Sequence, residues 1–352
     1  MTNAAPRPAN SVLEGEIRQQ PDVIANLINS PEIAQVAAAL RAANPSHIVF
    51  AARGTSDNAA RYAQYLFGIH LGLPVTLAAP SISTLYQSPP RYRDAAVIGI
   101  SQSGQAPDVL QVLHDAAAQG ALTVAITNNT DSPMAQHAAH HIALKAGVEQ
   151  SVAATKTYTA QLTALALLTA HLAEDAALHR DLAQLPAWMA QALSIAPLLA
   201  ERAERFRFMS HCVVLGRGYN YATAFEIALK VKELTYVIAE PYSSADFRHG
   251  PKAMIEEDFP IIAVMPDGAT LPDMLALVRD MRERGADLTV ISANPEALEL
   301  AHLALPMPQG VSEWLSPIVA VVAGQFLAMD IAAVKGNALD APRNLTKVTQ
   351  TR

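Results

Sequence analysis

The sequence predicts an α/β protein built from two tandem doubly wound parallel-sheet domains, and three observations carry that prediction. First, a segment recurs. His47-Ile48-Val49-Phe50-Ala51-Ala52-Arg53-Gly54 returns as His211-Cys212-Val213-Val214-Leu215-Gly216-Arg217-Gly218, and Asp94 to Gly104 (DAAVIGISQSG) returns as Asp258 to Gly268 (DFPIIAVMPDG), both at an offset of 164 residues (211 − 47 and 258 − 94). Two matches at one spacing point to a duplicated domain. Second, each copy alternates short apolar runs with turn residues and helix-like stretches, the pattern of parallel strands joined by crossover helices. Third, 352 residues at 51% hydrophobic and 16% charged supply chain and apolar side chains for two substantial cores.

Along the chain, Val12 to Leu40 has helical periodicity broken at Pro21 and Pro31. Strands are predicted at His47 to Ala52, Ala95 to Ile100, Leu122 to Ile126 and His141 to Leu144. They are predicted again at Cys212 to Leu215, Ile261 to Val264, Leu288 to Ser292 and His302 to Leu305. Arg180 to Phe208 has helical period and few strand formers, as a connector would. Leu315 to Val334 reads as a long apolar helix, and Lys335 to Lys347 after it has no period, the pattern of a frayed terminus. The expected organisation is an N-terminal helical segment (1–34), a first domain (35–178), a helical connector (179–206), a second domain (207–335) and a C-terminal tail (336–352).

Composition excludes several classes of function. A net charge of −7 without a basic stripe argues against a nucleic-acid partner. The solitary Cys212 has no intrachain disulfide partner and lies in an apolar run, so a core position in a reducing compartment is expected. Met1 to Asn10 lacks the apolar centre of a secretory leader, and no stretch reads as long and uninterrupted enough to span a bilayer. A cytoplasmic protein without a membrane partner is the resulting expectation. His137, His140 and His141 have no Cys or acidic companion at zinc-ligand spacing, and Gly216-Arg217-Gly218 lacks the third glycine of a dinucleotide fingerprint.

In open parallel sheets, ligands bind beyond the carboxyl ends of strands, where loops lead into helix N-termini. Ser101-Gln102-Ser103-Gly104 stands there, ahead of a helix opening near Pro107-Asp108, and Gly54-Thr55-Ser56 stands at the equivalent place after the first strand. Hydroxyls and backbone N–H groups at helix starts can cradle a phosphate, although Ser and Gly also serve as turn and cap residues. Ser151 to Lys156 (SVAATK) is a candidate third wall. In the second copy Met265-Pro266-Asp267-Gly268 replaces the hydroxyl loop, so one site per chain is expected.

Glu226, Lys230 and Glu233 are spaced by four and three residues, on one helical face. That spacing suits an exposed ion pair worth about 0.3–0.5 kcal/mol as well as a half-buried proton-transfer group. The apolar neighbours from Ala224 to Leu234 favour some burial. His249, in Asp246-Phe247-Arg248-His249-Gly250-Pro251, is a loop histidine beside an arginine and a further candidate.

Taken together, Gly54-Thr55-Ser56, Ser101-Gln102-Ser103-Gly104, the run Glu226 to Glu233, Arg248-His249-Gly250-Pro251 and Pro342-Arg343-Asn344-Leu345-Thr346-Lys347 resemble the tandem sugar-isomerase (SIS) domain family. The likeness is to the isomerase half of glucosamine-6-phosphate synthase, and it runs from Glu16 to Lys347. The resemblance implies flavodoxin-like sheets and a site in which Thr55, Ser56, Ser101, Gln102 and Ser103 hold a sugar phosphate. It implies that Glu233 moves a proton between C1 and C2 with Lys230 stabilising charge, and Glu226 on the same helix is counted among the substrate-binding residues. His249 would open the ring, reaching the site from a neighbouring subunit of a homodimer. Lys347 would cover the substrate or engage its carbonyl, Val152 would line the pocket, and neither metal nor nicotinamide would take part.

Three departures from that pattern stand out. The chain begins Met1-Thr2-Asn3 with no glutaminase domain or nucleophilic N-terminal Cys, so glutamine-derived ammonia is not expected. Ala106 stands where the phosphate loop usually ends in a Thr, and Arg53 stands where a small residue or Cys often precedes Gly-Thr-Ser. Because SIS-only relatives of the synthase include deaminases, the resemblance implies conversion of glucosamine 6-phosphate and water to fructose 6-phosphate and ammonia. An ammonia-dependent or subunit-supplied synthase and a fructosyl-amine 6-phosphate deglycase remain as enzyme alternatives. A non-catalytic sugar-phosphate sensor is disfavoured because Glu233, His249 and Lys347 are all present and no basic helix-turn-helix precedes the repeat.

Overall fold

The computed structural model describes residues 11–347; the reading of Met1 to Asn10 and the outer ends of the segments 1–34 and 336–352 lie outside the described residues. Three helices come first: α1 (Val12–Arg18), α2 (Gln20–Ile28) and α3 (Pro31–Ala43). Then follow β1 (His47–Ala51), α4 (Thr55–Leu71), β2 (Val75–Leu77), α5 (Ser81–Thr84), β3 (Ala95–Ser101), α6 (Pro107–Ala118), β4 (Leu122–Thr127), α7 (Pro133–His137), β5 (His140–Ala143) and α8 (Lys156–Ala173). The connecting helices are α9 (Ala176–Ala192) and α10 (Ala196–Arg202). The second copy runs through β6 (His211–Gly216), α11 (Asn220–Thr235), β7 (Ile238–Ser243), α12 (Ser244–Arg248), β8 (Pro260–Val264), α13 (Leu271–Glu283), β9 (Asp287–Ser292), α14 (Pro295–Glu299), β10 (Leu303–Pro306) and α15 (Ser316–Val334).

The chain forms two compact units. The first comprises residues 22–149, 156–184 and 346–347 and holds β1 to β5; the second comprises 11–21, 150–155 and 185–345 and holds β6 to β10. Each has a five-stranded sheet, ordered β2-β1-β3-β4-β5 in one and β10-β9-β8-β6-β7 in the other, with every pairing parallel. Read from the opposite edge, the second order repeats the first, and both are flavodoxin-like. The 164-residue offset holds at the starts of β1 and β6 (47 and 211) and of α6 and α13 (107 and 271).

The four strands expected in each half are present within a residue or two of their predicted ends, but β2 and β7 were not predicted. Both are edge strands. The first has only three residues, and the second contains Glu240 and Pro241, which weaken an apolar-run pattern. Proline is tolerated there because an edge strand has a face with no ladder to feed. The first helical break falls at Gln19 rather than Pro21, since Pro21 sits in the first turn of α2, where its missing N–H costs nothing.

In the first unit, Val97, Val109, Leu113, Ala125 and Met134 pack on one sheet face, and α3, α4 and α8 pack together. In the second, Leu215, Ile261, Ala263, Met281 and Leu288 build the equivalent core, and Cys212 is buried in β6 with its thiol pushed up to about 12 by that burial. The helix α15 corrects one expectation. The stretch Glu313–Val334, with mean hydropathy 1.9, is long and apolar enough to cross a membrane, as is Ala176–Phe206 at 1.2. For the former, 94% of the apolar window is buried inside the protein, where α15 packs against α1, α10 and α11. A helix that is hydrophobic all round can be a core element.

The tail also departs from a frayed terminus. Leu339 is buried, Leu13 donates its N–H to Asp340 Oδ1 at 2.9 Å, and Val152 donates its N–H to the Asp340 carbonyl at 3.1 Å. Asn337 donates to the Leu234 carbonyl at 3.0 Å, and Arg343 stacks 3.9 Å over the Tyr236 ring. A segment without secondary structure is thus fixed by side-chain and main-chain bonds to its own unit.

Helix α15 meets α11 at Gly324, where an added Cβ would collide with the Ile227 side chain. Gly324→Val should therefore overpack this contact and cost about 1–3 kcal/mol, read as a lower urea midpoint with unchanged slope.

Candidate functional site

In the first unit, β1 and β3 are neighbours, with Ala51 at the end of β1 paired with Gly99 near the end of β3, and the strand order reverses between them, the usual crevice for ligands. Thr55 and Ser56 open α4 directly after β1. Ser56 is buried, and its Oγ accepts from Gln161 Nε2 of α8 at 3.0 Å. Ser101 is the last residue of β3, and its hydroxyl accepts the Gly104 N–H at 3.1 Å; Ser103 accepts the Gln105 N–H at 3.3 Å. This curls the loop into the N-terminus of α6. Gly104 has φ +65°, and a Cβ there would collide with Ser132, so the turn requires glycine. The Gln102 carbonyl accepts the Asn128 N–H at 3.1 Å, and a cavity of about 400 Å³ opens beside it, lined by Gln102, Asn128, Thr130, Lys145 and Glu149.

Lys347 belongs to the first unit too, with its ammonium 2.7 Å from Glu149 Oε2. The Glu149 side chain is wholly buried and also accepts from Thr157 through N–H (3.1 Å) and Oγ1 (2.7 Å). Sequence reasoning missed Glu149; its only sign was an acid in a Gly-Val-Glu turn before an apolar helix. It missed Asp108 as well, a fully buried carboxylate in the first turn of α6 that takes Arg53 Nε at 2.7 Å.

The second unit holds Val152, Glu226, Lys230, Glu233 and His249. Of the expected third wall, Ser151 to Thr155 lies here and Lys156 in the first unit. On α11 the predicted shared face is real, and it is not a solvated one. Glu226 and Lys230 are fully buried, while the Glu233 side chain is 24% exposed. Lys230 Nζ lies 2.6 Å from Glu233 Oε2 and 3.4 Å from Glu226 Oε1. Burial alone would lower the Lys230 pKa, yet the two carboxylates outweigh it and raise it above the ordinary lysine value. The result is a fixed cation that places one partly exposed carboxylate at the helix surface, chemistry suited to moving a proton.

His249 is exposed and caps the C-terminus of α12, its N–H bonded to the Asp246 carbonyl at 3.0 Å. The short helix is pinned at its start by Ser243, which accepts the Asp246 N–H, and at its end by Arg248, 2.6 Å from Asp273 on α13.

The second copy fills the place that corresponds to the serine loop. Ala269 and Thr270, 164 residues after Gln105 and Ala106, donate their N–H groups to Glu313 at 2.8 and 3.2 Å, and Thr270 Oγ1 donates to it at 2.8 Å. An internal carboxylate thus takes the amides that an anion would need.

Removing the Lys230 ammonium would take away the cation that lies 3.4 Å from the buried carboxylate of Glu226. Lys230→Met should cost about 3–5 kcal/mol, measured by urea denaturation at neutral pH.

A family model described as the SIS domain matches residues 40–171 and 208–335. A glutamine–fructose-6-phosphate aminotransferase (isomerizing) of Pectobacterium atrosepticum is 33% identical over 95% of this chain and 58% of its own length; the chain spans little over half of the curated relatives it matches. A candidate phosphosugar isomerase structure from Silicibacter pomeroyi DSS-3 is 32% identical, with a TM-score of 0.84 over 94% of this chain and 99% of that one. The C-terminal domain of a glucosamine-fructose-6-phosphate aminotransferase from Francisella tularensis is 28% identical, with a TM-score of 0.84 over 96% and 100%. With the duplicated sheets and both family segments in place, the chain belongs to the SIS-domain family.

Proposed function

We propose that the protein is a phosphosugar isomerase that deaminates glucosamine 6-phosphate, giving fructose 6-phosphate and ammonia. The observation that carries this reading is the Lys230–Glu233 contact of 2.6 Å, a partly exposed carboxylate held against a buried ammonium. Glu233 is the base that takes the C2 proton and returns it to C1 through an enolamine. The resulting imine at C2 adds water and releases ammonia. His249 opens the pyranose before that step, and its exposure suits a residue offered to a second subunit of a homodimer. Lys347 contacts the open-chain sugar, Glu226 supports Lys230, and Val152 lines the pocket.

The phosphate is assigned to Thr55, Ser56, Ser101, Gln102 and Ser103, whose hydroxyls and helix-start amides suit a dianion. Binding there anchors the substrate through atoms remote from the reacting carbons, energy that serves orientation at C1 and C2. Neither metal nor nicotinamide enters the scheme, and a cytoplasmic location suits a phosphorylated substrate.

The test is ammonia release from glucosamine 6-phosphate by purified protein, with fructosyl-amine 6-phosphates and fructose 6-phosphate plus ammonium as parallel arms. Ammonia from the first is expected. Turnover in the other arms alone would replace deamination by deglycation or synthesis. Glu233→Gln should reduce turnover at least about 10²-fold with phosphosugar affinity retained, and an active variant would remove Glu233 from its role.

A further inference from the structure

A phosphate held by both Gly54-Thr55-Ser56 and Ser101-Gln102-Ser103 needs the two loops at a fixed spacing, and they belong to separate stretches of chain. Their strands are adjacent, but both loops lie beyond the last paired residues of β1 and β3 in that direction. Arg53 immediately precedes Gly54. Its Nε–H donates to Asp108 Oδ2 at 2.7 Å, and Asp108 lies in the first turn of α6, the helix that the serine loop enters. The Arg53 side chain is half exposed, whereas that of Asp108 is completely buried; its other oxygen accepts the Val109 N–H at 2.9 Å. A buried carboxylate needs a countercharge and hydrogen-bond donors, and the Arg53 guanidinium supplies both, with the helix start adding to them. The planar guanidinium makes the join directional.

We infer that Arg53, acting through Asp108, is a positioning residue for the phosphate cradle, a clasp that ties the Ser56 loop to the Ser101–Ser103 loop. The inference rests on the phosphosugar reading of these loops. Ser56 is fixed from its other side by Gln161, so the clasp and α8 together set where its hydroxyl points. A second arginine–aspartate pair, Arg61 with Asp57 at 3.1 Å, spans one turn of α4 and serves as the internal control.

The experiment measures Kd for glucosamine 6-phosphate and for inorganic phosphate by calorimetry, KM and kcat by ammonia release, and the melting temperature. The proteins are wild type, Arg53→Met, Arg53→Lys, Asp108→Asn, the double variant Arg53→Met/Asp108→Asn, and Arg61→Met. Arg53→Met and Asp108→Asn should each weaken both ligands by about 10- to 100-fold, in KM far more than in kcat. Arg53→Lys should recover part of the loss, and Arg61→Met should bind as wild type. The double variant, which strands no buried charge, should lose no more affinity than the worse single variant. Wild-type affinity in folded Arg53→Met or in the double variant would overturn the clasp. So would loss in Arg53→Met with none in Asp108→Asn, since Arg53 would then touch the anion itself. A wild-type protein that binds neither ligand would instead overturn the phosphosugar reading.

Discussion

A dehydrated ammonium between two carboxylates is the constraint on which the second unit depends. Lys230 lies in α11, the helix packed against both β6 and the apolar α15, and its side chain is buried. Glu226 and Glu233 supply the countercharge, one sealed and one reaching the surface. Because the folded pKa of Lys230 is raised, the stabilisation from this cluster is fully present below the ordinary lysine value of 10.5 and fades only as pH rises above it. The same contacts therefore hold the helix in the core and fix where the Glu233 carboxylate sits, which links the packing of α11 to the chemistry proposed for it.

The duplication explains the rest of the layout. Both copies have the same strand order, and in each the third strand leads through a loop into a helix. In the first copy Ser101 and Ser103 shape that loop. In the second, Glu313 bonds the equivalent amides from within the chain. A carboxylate in the second place stabilises the helix start and bonds amides of its own chain, just after the stretch where Met-Pro-Asp replaces Ser-Gln-Ser.

Much of this was legible in the residues. The repeat, the alternation of apolar runs with helices, and the positions of Thr55, Ser56 and Ser101 to Ser103 at strand ends were readable because short-range patterning fixes them. The face shared by Glu226, Lys230 and Glu233 was readable from spacing, but its burial was not, since burial is decided by α15, far along the chain. Apolar content likewise did not tell a core helix from a membrane span, because what surrounds Glu313–Val334 is a tertiary fact. Glu149, Asp108 and the anchoring of Asp340 and Arg343 depend on partners up to 327 residues away. The β2 and β7 edges were missed because short or Pro-containing strands leave almost no periodic pattern.

The central claim is that Lys230 remains a charged ammonium deep in the protein because Glu226 and Glu233 hold it so. An NMR titration of the Lys230 side chain, assigned through ¹³Cε-lysine labelling and a Lys230→Arg control, reads this directly. The account predicts that the Lys230 resonance shows no deprotonation step as exposed lysines titrate near 10.5. A midpoint below that value would contradict it, because burial would then have overcome the two carboxylates.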